Sequence, residues 1–413
     1  MARASGQGWK GGLMALGLAA GAPGAFGEAS DPWPPGEGQA LAASLCTACH
    51  SAATVARSSG YSAEDWATLF STMVALPEDT KARLATYLAE AFPPRTHRAT
   101  TLVPGPHRVT FEQWQVPTLG QRSRDPVEGP DGRIWWVGQW GNLVGVLDPD
   151  TGAMREYPLP EGTYPHSVTL DDAGTPWLLG NKNGTLQRLD PESGEITVFP
   201  MPDSAAKDPH TGEFDGKGRL IFTLQQSNRV GRFDPATGAI DLIELDRPKS
   251  RPYGIKFDGA GQAWVACNGG PCLYRIDPDT LAQTRIDLPN QESHVRRLDV
   301  AEDGSVWYVN SGAGRLGQYV PSTGRFREWP SPSGPKSHPY GLVIVDGIVW
   351  YNESGVRPDP LVRFDPKTET FQSWPIPSSG VYAGILRHTR ADRAGRLLIH
   401  QSATNHLLRV TPE

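Results

Sequence analysis

Arg232-Phe233-Asp234-Pro235-Ala236-Thr237-Gly238 stands near the middle of this 413-residue chain, and its Asp-Pro pair is one of a series. Asp148-Pro149, Asp190-Pro191, Asp277-Pro278, Val320-Pro321, Asp365-Pro366 and Thr411-Pro412 recur around it, the seven prolines stepping by 42, 44, 43, 43, 45 and 46 residues. That period is the length of a four-stranded propeller blade, and seven markers predict seven blades. Unit two shows the internal order. It has an opening strand (Pro165-His166-Ser167-Val168), a D-x-x-G turn (Asp171 to Gly174) and an aromatic strand with Trp177. A third strand (Leu186 to Asp190) and a last one ending aromatic-Pro-x-Pro complete it. Short alternating segments split by turn residues are what antiparallel strands require.

The ends of the series fit one another. The seventh unit reaches Glu413 directly after its Pro412 marker, without a fourth strand. Upstream of unit one lies Phe111-Glu112-Gln113-Trp114-Gln115-Val116-Pro117, an F-x-x-W-x-x-P like those at Phe326 to Pro332 and Phe371 to Pro377. The N-terminal copy is therefore expected to be the missing strand, closing the ring and removing a free sheet edge. The expected fold is mainly β: a seven-bladed β-propeller over 108–413, Velcro-closed by an N-terminal strand and preceded by a small all-α domain.

Composition agrees. Gly and Pro make up 84 of 413 residues, and 13 Trp stand against 5 Met, a turn-rich and strand-favouring balance. The net charge of -6, with no basic stripe, makes nucleic acid an unexpected partner. No segment has the length of a membrane span. Arg3 and Lys10 precede the apolar Gly11 to Ala20, and Ala25-Phe26-Gly27 offers small residues for cleavage before Glu28. Residues 1–27 thus read as a signal peptide, which predicts a periplasmic protein.

Cys46-Thr47-Ala48-Cys49-His50 is C-x-x-C-H, the attachment sequence of covalent haem c, in which two thiols bond one porphyrin and the histidine ligates iron. A redox dithiol is the other use of C-x-x-C. Ser62-Ala63-Glu64-Asp65 is a capping-box start for a helix carrying Trp66, Leu69, Phe70 and Met73; Pro77-Glu78-Asp79 opens another, stopped by Pro93-Pro94. Met73 is the expected second axial ligand of the haem iron opposite His50, with His97 as the alternative. Residues 34–95 form this expected haem domain and 96–107 a Pro-rich, semi-rigid linker. The surroundings of Met73 and Tyr87-Leu88 resemble small cytochrome c modules fused to periplasmic enzymes.

The propeller repeat also has a resemblance. Arg251-Pro252-Tyr253-Gly254-Ile255 with Trp264, and His338-Pro339-Tyr340-Gly341-Leu342 with Trp350-Tyr351-Asn352-Glu353, are similar to the streptogramin (virginiamycin B) lyase family of propellers. That family opens a cyclic ester by elimination, using a Glu-x-His, a His on the preceding inner strand, a further Glu and Mg2+. The resemblance implies His210 and Asp208, in Asp208-Pro209-His210, and His166 as catalytic residues, with Mg2+ as cofactor. The second-strand acid is replaced by Leu224-Gln225-Gln226, and the pair lies in units two and three rather than near the chain's end.

Aligning the unit openings predicts one inner ring of Val127, His166, His210, Tyr253, Val295, Tyr340 and Ala383. A second, two residues earlier on the same face, contains Asp125, Tyr164, Asp208, Arg251, Ser293, His338 and Val381. Arg251, Tyr253, His338, Tyr340 and Glu353 are the expected ligand-binding residues of this funnel, with Arg296 nearby. Cys267 and Cys272 flank a tight hairpin, as a disulfide or as two free thiols. Two functions follow. The first is haem-mediated electron transfer coupled to a redox partner protein or small-molecule substrate in the funnel. The alternative is a Mg2+-dependent carbon–oxygen lyase, or a propeller serving only as an interaction module.

Overall fold

The computed structural model describes residues 33–48, 51–58, 60–93, 99–377 and 386–413. Seven four-stranded antiparallel sheets are arranged as the blades of a propeller. Blade one spans 123–158, two 165–200, three 209–244, four 252–287, five 295–330 and six 339–375; each runs from the axis outward in chain order. Blade seven comprises Arg390–Ala391, Leu397–Gln401 and His406–Pro412, completed on the outside by Val109–Gln115. Those last two strands pair over seven consecutive residues, from Val109 with Pro412 to Gln115 with His406.

The repeat residues have local tasks. Each marker Asp turns its carboxylate back onto the backbone: Asp148 accepts from Asp150 N (2.9 Å), Asp190 from Glu192 N (2.9 Å) and Asp277 from Asp279 N (2.8 Å). These Asx-turns fix the reversal between third and fourth strands. The D-x-x-G aspartate does two jobs. Asp171 Oδ1 accepts from Ala173 N and Thr175 N, while Oδ2 accepts from Trp177 Nε1 at 3.0 Å. Asp258 repeats this with Trp264 Nε1 at 2.9 Å. The aromatic on the second strand is thus tied to the turn that precedes it, and its ring then packs between blades, as Trp264 does against Leu298 and Tyr308.

Four helices precede the propeller: α1 (Gln39–Thr47), α2 (Ala52–Arg57), α3 (Ala63–Met73) and α4 (Glu78–Ala91). The capping box at Ser62 is formed: Ser62 Oγ accepts from Asp65 N at 3.1 Å and Asp65 Oδ2 accepts from Ser62 N at 3.0 Å. The helices share a small core around Trp66, Phe70, Tyr87 and Leu88. They rest on the propeller through the C-terminal end of α3. Gly120 N donates to Thr72 O (2.8 Å), Thr72 Oγ1 donates to Ala403 O (3.2 Å), and Arg357 stacks over Tyr61. Gly120 (φ 66°) is required twice, since a Cβ there would also stand 2.9 Å from Met73 O. Residues 99–107 follow the outer strand of blade six, with paired bonds between Val103 and Ser373 and between His107 and Gln372. The linker is held along its described length rather than at its ends alone.

Among the described residues no helix is long and apolar enough to cross a membrane. The signal-peptide reading of 1–27 lies outside them.

Cys267 and Cys272 form a disulfide across the hairpin of blade four, with Cα atoms 5.4 Å apart. Closing so short a loop restrains the unfolded chain modestly, so replacing both cysteines by serine is expected to cost about 2 kcal/mol. Urea unfolding should show this as a lower midpoint with the slope little changed.

Candidate functional site

The channel's first turn is built by a shared irregularity. The innermost strand of each of the first six blades shifts register against its neighbour, between Arg124 and Val127, Pro165 and Ser167, Pro209 and Gly212, Pro252 and Ile255, Val295 and Leu298, and Pro339 and Leu342. A bulge adds a residue and re-aims side chains. The strand-long alternation that predicted the inner ring therefore fails here. Val127 pairs with Trp135 as Thr169 pairs with Trp177, so the counterpart of His166 is Arg124 rather than Val127. By the same count Arg296, not Val295, belongs to the ring, and Arg122 and His294 replace Asp125 and Ser293 at the rim. Blade seven supplies Arg387, because Arg390 pairs with Leu398 as Glu213 pairs with Ile221. Ala383 and Val381 lie outside the described residues.

The resulting ring is, in blade order, Arg124, His166, His210, Tyr253, Arg296, Tyr340 and Arg387, and from Arg124 to Tyr340 neighbouring members are in contact. Arg124 Nη2 donates to His166 Nε2 at 2.6 Å. The His166 and His210 rings lie 3.5 Å apart, and His210 lies 4.0 Å from the Tyr253 ring. The Tyr253 and Tyr340 hydroxyls are hydrogen-bonded to each other, and Arg296 Nη1 donates to Tyr340 Oη at 3.3 Å. One residue further along, Asp125 Oδ2 accepts from His388 Nδ1 at 3.2 Å, and Arg297 Nη1 donates to Thr211 Oγ1 at 3.1 Å. Gly254 lets blades four and five close here, since a Cβ would stand 2.8 Å from Arg296 O.

This ring is electrically unusual. Burial, then the charges of Arg124 and His210, hold the His166 imidazole well below its usual range; burial and Arg297 do the same for His210. Both are neutral. Because a guanidinium only donates, His166 accepts at Nε2 and carries its proton on Nδ1, which meets no acceptor among the described residues. Burial pushes the Arg122 guanidinium down, and repulsion from Arg387 and Arg124 adds to this, bringing it to about 8. Burial by itself would raise the Tyr340 phenol. The charges of Arg387 and Arg296 and the hydrogen bond with Tyr253 reverse that and bring it down to about 8. Tyr253 moves the other way, raised by burial and by its neighbour, and keeps its proton.

Of the expected catalytic group, His166 and His210 lie against each other with their rings tilted by 32°, but Asp208 does not join them. Its carboxylate caps the next hairpin, accepting from the Gln226 and Ser227 backbone and from Ser227 Oγ (3.2 Å). Tyr253 and Tyr340 are in the ring; Arg251 and the half-buried His338 stand on the rim above it. Glu353 is buried behind the ring at the end of its second strand, where it accepts from Ser333 N at 3.1 Å and burial raises its pKa. The ring does not suit Mg2+. Its one carboxylate, Asp125, is committed to His388 and faces Arg124 and Arg297, and no three acidic, His or Cys residues gather around a metal position among the described residues.

For haem, Cys46 at the end of α1 and Met73 at the end of α3 pack on the same apolar cluster, while Cys49, His50 and the alternative ligand His97 lie outside the described residues. Trp66 Nε1, in that cluster, is buried and meets no acceptor among the described residues. Of the expected haem ligands, only Cys46 and Met73 are among the described residues, and they share this one cluster.

A seven-bladed propeller with a polar ring closing one mouth of its channel is the class defined here. Residues 106–273 match the virginiamycin B lyase family. The selenomethionine-substituted virginiamycin B lyase from Staphylococcus aureus is 20% identical, with a TM-score of 0.67 over 74% of this chain and 99% of its own. A catalytically inactive form of the S. aureus lyase solved with quinupristin is 19% identical, with a TM-score of 0.65 over the same shares. No curated protein matches the chain.

An ionisation corresponding to one tyrosine is expected near pH 8, below the usual value near 10, in the near-ultraviolet tyrosinate band. Tyr340→Phe should remove that phase, and Arg296→Met should move it upward.

Proposed function

We propose that the channel ring is the active site of a lyase-type enzyme that removes a proton beside a carbonyl and breaks a neighbouring carbon–oxygen bond. The observation carrying this reading is the placement of the Tyr340 phenol, hydrogen-bonded to the Tyr253 hydroxyl and to Arg296 Nη1 and, against the effect of burial, drawn below its ordinary value by the charges of Arg387 and Arg296. A base whose pKa lies near neutral pH is partly ionised and still a good proton acceptor. The propeller's likeness to the S. aureus lyase supports the same class.

In this scheme the Tyr340 phenolate takes the proton from the carbon next to the carbonyl. The electron pair of that bond becomes a carbon–carbon double bond, and the bond to oxygen breaks. Guanidinium groups at Arg296 and Arg387 hold the negative charge that develops on the carbonyl oxygen. Tyr340 then returns its proton to the departing oxygen. No water enters, so a cyclic ester opens without a change of mass. The ring does not supply the Glu-x-His of the resemblance, because Asp208 is committed elsewhere; Tyr340 takes the role of base. The first substrates to try are streptogramin-B-type cyclic esters. Mass spectrometry should show a linear product isobaric with the ring, and Tyr340→Phe should lower turnover at least about 100-fold. Equal turnover by wild type and Tyr340→Phe, or none with any such ester, overturns the reading.

A second reading concerns the helical unit. Its support is the C-x-x-C-H motif at Cys46, Cys49 and His50, together with the docking of α3 beside the channel mouth: Gly120, which holds Thr72 O, is two residues from Arg122. We propose that the chain is exported and that these cysteines tether haem c, with His50 and Met73 as axial ligands. Such a haem supplies one-electron transfer when bound. Cys46 on α1 and Met73 at the end of α3 would be the described residues that hold it. The full chain, made in a host that matures cytochromes, should carry covalent haem by the pyridine haemochrome spectrum and by intact mass. Cys46→Ala with Cys49→Ala should abolish it. A colourless wild-type protein overturns this reading.

A further inference from the structure

The inner strands reach the opposite mouth of the channel with a second layer, three residues on from the ring. Val127, Thr169, Glu213, Lys256, Val343 and Arg390 stand at one register position, each opposite the equivalent residue of its blade's second strand. They line a cavity of about 420 Å³ that extends to the turns between first and second strands of blades one, two and seven. That volume falls among those of small-molecule sites, about 300–1,000 Å³. Nothing in the chemistry proposed for the ring uses it.

Arg390 is the unusual member. It is 7% exposed, and its Nη1 donates to Val168 O at 3.1 Å, while Nε and Nη2 meet no acceptor among the described residues. Those two donors share one edge of the guanidinium, the edge that takes a carboxylate through two parallel bonds. Left idle in a buried charge they are costly, and a ligand that brings two oxygens relieves the cost. The bond to Val168 also carries the guanidinium past blade one to blade two, next to the blade that bears Glu213. Glu213 is the counterpart. Its Oε1 accepts from Lys256 Nζ at 2.7 Å, and its Oε2 forms no hydrogen bond among the described residues. Burial would raise this carboxyl, but the charges of Lys256 and Arg390 outweigh it and keep it ionised. Val127, Leu170 and Val343 give the wall an apolar side. Around the whole wall four carboxylates face three cations, so a bare anion gains nothing from the net field.

We infer that this mouth binds an apolar α-amino acid, its carboxylate on Nε and Nη2 of Arg390, its ammonium on Glu213 Oε2 and its side chain against Val127, Leu170 and Val343. The class follows from the charges. Such a ligand is neutral overall, in keeping with the mixed wall, yet carries the one oxyanion that Arg390 lacks and a cation for the free oxygen of Glu213. The site is separate from the ring and does not depend on the lyase reading.

Isothermal titration calorimetry on the full chain tests this with L-leucine, 4-methylpentanoate, which lacks the ammonium, and 3-methylbutylamine, which lacks the carboxylate. L-Leucine should bind at least about tenfold more tightly than either, since each analogue leaves one charged partner unmatched. Glu213→Gln and Arg390→Gln should each weaken L-leucine by at least about tenfold. No binding of L-leucine to the wild-type chain, or equal binding of either analogue, overturns the inference, and that comparison needs no variant to fold. Undiminished binding by folded Glu213→Gln and Arg390→Gln overturns it as well, because the ligand then sits elsewhere. Glycine binding as tightly as L-leucine overturns the apolar part. L-Leucine bound by a chain that opens no ester leaves this inference standing and removes only the lyase reading.

Discussion

Seven consecutive residue pairs between Val109–Gln115 and His406–Pro412 hold the two ends of the propeller together. Without that pairing, blade seven would expose an unpaired third strand along its whole length. With it, every blade has two neighbours, and the inner strands are forced into one ring. The Asp125–His388 contact, 263 residues apart in sequence, exists only because the ring closes. So does the approach of Arg387 to Arg122 and Tyr340 that sets their ionisation. The chemistry of the channel is therefore a consequence of closure, and the outermost strand of blade seven, far from the axis, is part of what makes it.

Architecture was legible in the sequence because its signals are local. Asp148, Asp190 and Asp277 each bend their own turn, and Asp171 and Asp258 each hold a tryptophan six residues on, so the same residues recur wherever the same turn is built. The Phe-x-x-Trp strand of blades five and six likewise announces, by its third copy at Phe111, the outer strand of blade seven. His166, His210, Tyr253 and Tyr340 were found for the same reason: they sit beside the prolines that open their strands.

Arg124 and Arg387 escape that reading, and Arg296 enters it only as a neighbour of the ring. The bulge that brings them to the axis leaves no mark in an alternating pattern, and aligning the unit openings, with Asp125-Pro126-Val127 set on Asp208-Pro209-His210, lands on Val127 and Val295 instead. Two signals were nonetheless present. A proline precedes the ring residue in blades two, three, four and six; blade one breaks this with Arg124-Asp125-Pro126, and two adjacent arginines, Arg296-Arg297, stand in an opening strand whose other residues are Val295, Leu298, Asp299 and Val300. Asp208 misled for a related reason. Two residues before His210 it belongs on the same face of a regular strand, but the strand begins at Pro209, and a residue before the first ladder pair is free to serve the neighbouring hairpin.

The helical unit bears on the channel through backbone and side chain together. Thr72 O meets Gly120 N, and Thr72 Oγ1 meets Ala403 O. From there Ser402 Oγ bonds both Ser123 O and His400 Nδ1, and His400 Nε2 accepts from Arg387 N. The end of α3 is thus joined to the ring by a short line of hydrogen bonds, all at positions where a shift of one partner changes the place of the next. His400 is the informative link. It is fully buried and held neutral, chiefly by burial, so it can accept from Arg387 N on one nitrogen and donate to Ser402 on the other. A charged imidazole could not accept at all, and the line would break beside the guanidinium that the proposed chemistry requires. Two units that look independent in sequence, one helical and one of sheets, are for this reason coupled where the end of the first meets the inner ring of the second.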